Sequence, residues 1–314
     1  MRILFAGSPA IAVPALEAVC RTEGIELAGV LTNSDSLKGR SGTFTPTEVG
    51  EAAQRLNISP ILKPEKLDSG AREQIGALKC DLLVSFAYGH FFGPKFLALF
   101  PMGGINIHPS LLPRHRGPSP IQAAILNRDT ITGVSIQMLA DKMDCGDILA
   151  AEQIQLTSRE TSASLSEMAA QKAAVMLPDV LKKIADGTIK KTEQNHSEAT
   201  YCKLFTKTDG VIDWSQSAEE IDAKIRAFNP WPLCCCTHNG RELLILESDK
   251  YSGCETAAAC ALPGKVLGTD KNCGILIQTG GGVLAVTRLQ YQTKKALFWR
   301  DFLNGARDFL GSQL

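Results

Sequence analysis

Apolar and polar positions follow two rhythms along this chain. Early on, short and nearly continuous apolar runs at 2–6, 25–32, 61–62 and 81–87 alternate with stretches of helical spacing, such as Val13, Leu16 and Val19 ahead of Cys20. Residues 49–56 and 71–78 read the same helical way. Unbroken apolar strands between amphipathic helices predict a mostly parallel sheet covered on both faces. The next strand differs, because Ile105 and Ile107 alternate with Asn106 and His108, so an amide and an imidazole leave one face together. Pro109, Pro113, Gly117, Pro118 and Pro120 then forbid regular structure and make a stiff loop. Strand ends of this kind are where open α/β sheets bind ligands. Asn106 and His108 are thus candidates for chemistry, against the plainer reading that they cap a strand and satisfy turn backbone.

Downstream, 120–127 reads as a helix and 133–139 as a strand with Val134 and Ile136 on one face. That strand runs into Ala140-Asp141-Lys142-Met143-Asp144-Cys145-Gly146-Asp147, where aspartates crowd a glycine-containing turn. Two readings stand: Asx turns closing a hairpin, or a carboxylate that reaches and orients a neighbouring histidine. The spacing does not fit the oxygen-rich loop that holds hard cations. A long helix at 157–184 opens on a capping signal, Thr161 to Ser164, and carries Leu165, Met168, Ala169, Ala173, Met176, Leu177 and Leu181 as a core stripe. The polar, lysine-containing stretch 189–204 reads as an interdomain linker, leaving domains at 1–188 and 205–314. In the second, a helix at 217–228 opens on a Ser217–Glu220 capping box, and short strands at 233–237, 243–247, 264–267, 274–279 and 283–289 suggest a small antiparallel barrel. A last helix spans 299–310.

Composition narrows the classes. At 314 residues, 44% hydrophobic and 21% charged, the chain is an ordinary globular one with room for two cores. No apolar run approaches the roughly 20 residues a spanning helix needs, and the opening strand turns at Gly7 too soon for a secretion signal; a cytoplasmic, membrane-free protein is expected. Its 10 cysteines include no C-x-x-C, so free thiols are expected, and Cys234-Cys235-Cys236 suits strand packing better than a metal. With 33 basic and 33 acidic residues, charge alone argues mildly against a nucleic-acid partner. The polar stretch 33–46, with Lys38, Gly39 and Arg40, is long for an α/β connection and points to a functional lid over a plain solvated loop.

Asn, His and Asp beside an open loop suit acyl transfer to an amine. The amide and imidazole can hydrogen-bond a developing oxyanion, the imidazole can handle the amine's proton, and a carboxylate can hold the imidazole's tautomer. No covalent nucleophile is required, and no G-x-S-x-G elbow occurs. A redox or noncatalytic nucleotide-binding protein would instead need a glycine fingerprint after the first strand, which is missing.

The run Asn106-Ile107-His108-Pro109-Ser110-Leu111-Leu112-Pro113-Arg114-His115-Arg116-Gly117, followed by Met143-Asp144-Cys145-Gly146-Asp147, resembles the signature of folate-dependent formyltransferases. Arg116-Gly117-Pro118-Ser119-Pro120-Ile121-Gln122, Ile212-Asp213-Trp214 and Arg226-Ala227-Phe228-Asn229-Pro230-Trp231-Pro232 look like the branch that acts on methionyl-tRNA. The resemblance implies a Rossmann-like, mostly parallel catalytic domain followed by a small antiparallel OB-like barrel domain for tRNA. It implies Asn106, His108 and Asp144 as the catalytic set, 10-formyltetrahydrofolate as formyl donor, methionyl initiator tRNA as acceptor, no metal, and a monomer. Carried across, the folate pocket falls on Phe86, Ala87, Tyr88 and Gly89, on Ser110, Leu111, Leu112 and Pro113, and on the segment from Ala140 and Asp141 to Asp144. The tRNA contacts fall on Arg40 and on Lys294 and Lys295. This chain departs from the family in the lid, where Gly39-Arg40-Ser41-Gly42-Thr43 stands in place of a stretch with two further lysines, at Pro109, a common glycine, and at Ala140, a common aspartate. Formyl transfer to a sugar amine, or hydrolysis of the formyl-folate, would use the same set with another acceptor.

Overall fold

Seven strands form the sheet of the first compact unit in a computed structural model that describes residues 1–38, 43–253 and 261–314. They are β1 (Arg2–Gly7), β2 (Glu26–Leu31), β5 (Ile61–Leu62), β6 (Leu82–Phe86), β7 (Gly104–His108), β8 (Ile131–Met138) and β9 (Ile148–Gln155), in the spatial order β5-β2-β1-β6-β7-β8-β9. Between β2 and β5 lie two short strands, β3 (Ser36–Lys38) and β4 (Thr43–Thr45), paired with each other. Pairing is parallel from β5 through β7 and antiparallel from β7 to β9. The parallel strands are the continuous apolar runs of the sequence, and Ile3, Leu4, Phe5, Leu82, Leu83 and Val84 are fully buried. Each such side chain contributes roughly 1.5–3 kcal/mol of burial, which is what holds the sheet between its helices.

The helices of this unit are α1 (Val13–Cys20), α2 (Glu48–Arg55), α3 (Ser69–Gly76) and α4 (Pro94–Leu97). Thr47 caps α2 by accepting from the Gly50 N–H, and Asp68 caps α3 through the Ala71 N–H. Helix α5 (Pro120–Leu126) begins as the first unit gives way, and α6 (Ser162–Ala185) is shared at its start with the second. Its predicted cap is present: Ser164 N–H donates to Thr161 Oγ1, and Thr161 N–H to Ser164 Oγ.

The sequence reading needs amending at several places. The stretch 33–46 is not all loop, because β3 and β4 pair antiparallel with Leu37 opposite Phe44, both exposed. Strand β9 was hidden by its edge position, where Ala151, Glu152 and Gln153 are exposed and the apolar run 148–151 passes into polar residues. Helix α4 is too short to show a period. The last helix, α8 (Trp299–Gly305), stops well short of residue 310 because Ala306 leaves the helical region.

The second unit comprises Ile121–Thr130, Leu156–Leu165 and Leu204–Leu314. It holds α7 (Ala218–Ala227), opened by the expected Ser217–Glu220 capping box, and a six-stranded sheet. Its strands β10 (Cys234–His238), β11 (Arg241–Lys250), β12 (Val266–Asp270), β13 (Gly274–Gln278), β14 (Val283–Tyr291) and β15 (Leu297–Phe298) are all antiparallel, the arrangement expected of a small β domain. Cys234 and Cys236 are buried, and burial pushes both thiols up to about 12. They pack as small apolar side chains, as the strand reading required.

Candidate active site

Strand β7 puts Asn106 and His108 on one face, and its antiparallel partner sets what stands beside them. Asn106 lies opposite Gln137 and His108 opposite Ser135 on β8. Residues directly opposite in an antiparallel pair share a face, so four polar side chains gather there while Ile105, Ile107 and Ile136 fill the core behind. Gln137 and Ser135 are functional neighbours that the sequence reading missed. Their signal was the alternation Val134-Ser135-Ile136-Gln137, which marks a polar face on a strand otherwise destined for the interior.

The proline-rich loop is tied to this face at several points. Ser135 Oγ donates to Ser110 O at 2.8 Å and accepts from Leu112 N–H at 3.1 Å. Ser110 Oγ donates to Arg114 O at 2.6 Å. The stretch 189–204, read as a linker, runs alongside: Arg116 N–H donates to Thr200 O and Cys202 N–H to Arg116 O, both at 2.8 Å. Gly117 fits between because φ is 111° and a Cβ there would strike Cys202 O. Its freed N–H donates to Asp144 Oδ2 at 2.8 Å, while Gln137 Nε2 donates to Asp144 Oδ1 at 2.8 Å.

The structure brings Asp144 to His108. Its Oδ1 stands 3.6 Å from Nδ1 of the imidazole, both side chains being over nine-tenths buried. This distance exceeds a hydrogen bond, so in this geometry the carboxylate does not itself fix the tautomer. The His115 carbonyl does, because it can only accept, and at 2.8 Å from Nε2 it requires a proton on that nitrogen. In the neutral ring, Nδ1 is left bare and facing a negative charge. Burial lowers the His108 pKa below its ordinary value, and the Asp144 charge, the larger of the opposing effects, and the His115 carbonyl partly restore it. At neutral pH the imidazole is a neutral base whose protonated form already has a counter-charge in place. The Asn106 side chain makes no hydrogen bond among the described residues, leaving its N–H groups for a ligand.

The other candidates separate. At the end of β6, Ala87 and Gly89 have φ of 51° and 88° and are exposed, so loop backbone is presented next to the β7 end. Tyr88 is turned inward instead: its ring stacks on Phe92 at 5.5 Å in an aromatic ladder running through Phe96 to Phe100. Ser110 likewise spends its hydroxyl on the loop, and Leu112 is buried while Leu111 is half-buried. Asp141 is exposed and Ala140 half-buried. Arg40 lies outside the described residues. In the second unit, Lys294 and Lys295 line a cavity of about 350 Å³ with Arg241, Tyr291, Leu297, Phe302 and Gly305. The Arg241 guanidinium sits 3.9 Å over the Tyr291 ring. Among the described residues, no cluster of His, Cys, Asp and Glu could hold a metal ion.

An open α/β sheet thus carries an unengaged amide, a bare imidazole nitrogen and a fixed carboxylate near one strand end, groups of the kinds that direct acyl transfer can use. The formyl transferase model matches residues 1–181, and the formyl transferase C-terminal domain model matches 204–307. The chain is 49% identical to a methionyl-tRNA formyltransferase from Treponema denticola, over 99% of this chain and 98% of that protein. It is 38% identical to the one from Borrelia hermsii, over 99% of each. The chain therefore belongs to the formyl transferase family, in its methionyl-tRNA formyltransferase branch.

Solved structures agree on the fold. HypX from Aquifex aeolicus in complex with tetrahydrofolic acid matches with a TM-score of 0.65 at 18% identity, covering 99% of this chain and 48% of that one. An N-formyltransferase from Helicobacter canadensis in complex with folinic acid and dTDP-3-aminofucose also gives 0.65 at 18% identity, covering 90% and 97%.

Proposed function

We infer that this chain moves the formyl group of 10-formyltetrahydrofolate to the α-amine of methionyl initiator tRNA, giving the N-formylmethionyl-tRNA used to start translation. What carries the reading is identity of 49% across 99% of the chain to a protein of that name, with Asn106, His108 and Asp144 standing together at the end of β7. The donor is a substrate and leaves as tetrahydrofolate. No helix is long and apolar enough to cross a membrane among the described residues. The protein acts in the cytoplasm, as a monomer.

Asn106 donates from its amide to the formyl oxygen as negative charge develops there. A preorganised donor of this kind is worth roughly 10²–10³ in rate. Bare Nδ1 of His108 takes the proton released as the amine adds, Asp144 stabilises the imidazolium so formed, and that proton passes to the donor's nitrogen as its bond to the formyl carbon breaks, leaving tetrahydrofolate and a neutral imidazole. The exposed loop backbone of Ala87 and Gly89 at the strand end suits the edge of a flat ring, which backbone N–H and C=O groups can read. Tyr88 and Ser110 shape this pocket from behind. Lys294 and Lys295 meet tRNA phosphates, and the lid around Arg40 frames the acceptor end.

The acceptor is tested by offering 10-formyltetrahydrofolate with methionyl initiator tRNA, uncharged tRNA or an amino sugar nucleotide in parallel. Formylmethionine on the charged tRNA alone is the expected product. Formate release with no tRNA product, or formylation of the sugar, contradicts the reading.

A further inference from the structure

We propose that Gln194 is a positioning residue of the transfer site, the middle member of a hydrogen-bond relay from Arg116 through Gln194 and Gln137 to Asp144. The relay rests on the reading of Asn106, His108 and Asp144 as the formyl-transfer set and adds to it what holds the carboxylate in place.

The starting point is a buried charge. Arg116 is 1% exposed, and a guanidinium can only donate. Its partners are Gln194 Oε1, at 3.2 Å from Nε and 2.6 Å from Nη2, His196 Nδ1 at 2.8 Å from Nη2, and Tyr201 Oη at 3.1 Å from Nη1. None is a carboxylate, so the cation is satisfied by neutral acceptors from one stretch of chain. Stranding a buried charge is costly, which fixes how those acceptors must face.

Orientation then passes along the chain of amides. Because Gln194 Oε1 is committed to Arg116, its NH₂ must point the other way. There it donates to Gly146 O at 2.7 Å, Asp144 O at 3.0 Å and Gln137 Oε1 at 3.2 Å. Gln137 Oε1 being the acceptor, its own NH₂ faces Asp144 Oδ1 at 2.8 Å. Turning Gln194 over would set its oxygen against three acceptor oxygens and its NH₂ against the guanidinium, and turning Gln137 over would set its oxygen against Asp144 Oδ1, so the donor-only group at one end dictates the arrangement at the acceptor-only group 3.6 Å from His108. Gln194 is itself 4% exposed and Gln137 1%, so no solvent competes for these bonds. The turn they hold packs closely on β8, since a Cβ on Gly146 would strike Met138 O. A residue from a polar stretch with no apolar period thus reaches the centre of the site.

Gln194→Glu separates this role from that of a mere partner for Arg116. Glutamate keeps, and strengthens, the acceptor facing the guanidinium but removes the donors facing Asp144, Gly146 and Gln137. The relay predicts kcat for formyl transfer lower by roughly 10- to 100-fold, the scale of losing an outer partner of a reacting group. KM for the donor and for methionyl-tRNA should stay within about twofold, because neither substrate touches Gln194. Gln137→Met should fall by a similar factor, and the double variant no further than the worse single, since the two act in series. If Gln194→Glu does not fold, Gln194→Met replaces it in the same comparison. Native kcat in a folded Gln194 variant, or losses that multiply in the double variant, overturns the relay. A wild-type protein that never formylates methionyl-tRNA instead overturns the reading on which the relay rests.

Discussion

The polar groups around His108 and those around Lys294 solve opposite problems. In the first unit, His108, Arg116, Gln137 and Gln194 are all buried to 4% exposure or less, and each has a partner of fixed geometry. In the second, Lys294 and Lys295 are exposed beside a cavity walled by Tyr291 and Phe302. A buried polar group loses its solvent and so depends on one arrangement, which makes it precise and brittle. An exposed cation keeps its water and acts as a point charge, which makes it forgiving and sensitive to salt. Chemistry is placed where geometry is enforced, and long-range attraction where it need not be.

The largest effects should come from the enforced side. His108→Ala is expected to slow formyl transfer by roughly 10²–10⁴-fold and Asn106→Ala by roughly 10²–10³-fold, with circular dichroism unchanged. Gly117→Ala comes next, because a side chain at φ 111° meets Cys202 O. It should cost about 2–3 kcal/mol in urea titrations and displace the N–H that holds Asp144.

Asp144→Asn should lower the rate less and move its pH dependence. Neutral His108 is the working form, and burial already holds its pKa below the ordinary imidazole value. The Asp144 charge pulls that pKa upward, so removing it lets the pKa fall further. The acid limb of kcat against pH therefore shifts to lower pH in Asp144→Asn, and a shift to higher pH or none would break the electrostatic part of the comparison. The smallest effects belong to the exposed side. Lys294→Ala and Lys295→Ala should each raise KM for tRNA a few-fold, leave kcat alone, and flatten the salt dependence of log KM by about one phosphate contact. A loss of kcat in either would mean that the second unit does more than attract.

The core of the first unit was legible because its parallel strands are buried on both faces and so appear as unbroken apolar runs, such as Leu82–Phe86. Strand β9 was not, because an edge strand with Glu152 and Gln153 facing water loses that signal. Asn106 and His108 could be read from alternation along one strand, and the crowded turn offered Asp141, Asp144 and Asp147 as carboxylates, among which the family resemblance singled out Asp144. The approach of His108 and Asp144 to 3.6 Å is a matter of β7–β8 register and of the turn at Gly146, which no local pattern displays. The identity of the group that fixes the His108 tautomer was beyond reach for the same reason: a backbone carbonyl, that of His115, has no sequence signature. Gln194 was not singled out because a stretch with Lys190, Lys191 and Glu193 exposed looks like linker, although one buried side chain within it carries the contact.

The central claim is that one formyl group passes from 10-formyltetrahydrofolate to methionyl-tRNA under the action of His108. Single-turnover transfer of labelled formyl, followed in native protein and in His108→Ala at saturating donor and charged initiator tRNA, tests it directly. The account predicts label on the methionyl amine at one per tRNA with native protein, and a rate lower by at least about a hundredfold in the folded variant. Label released as formate by the native protein, or a His108→Ala variant as fast as native, would contradict it.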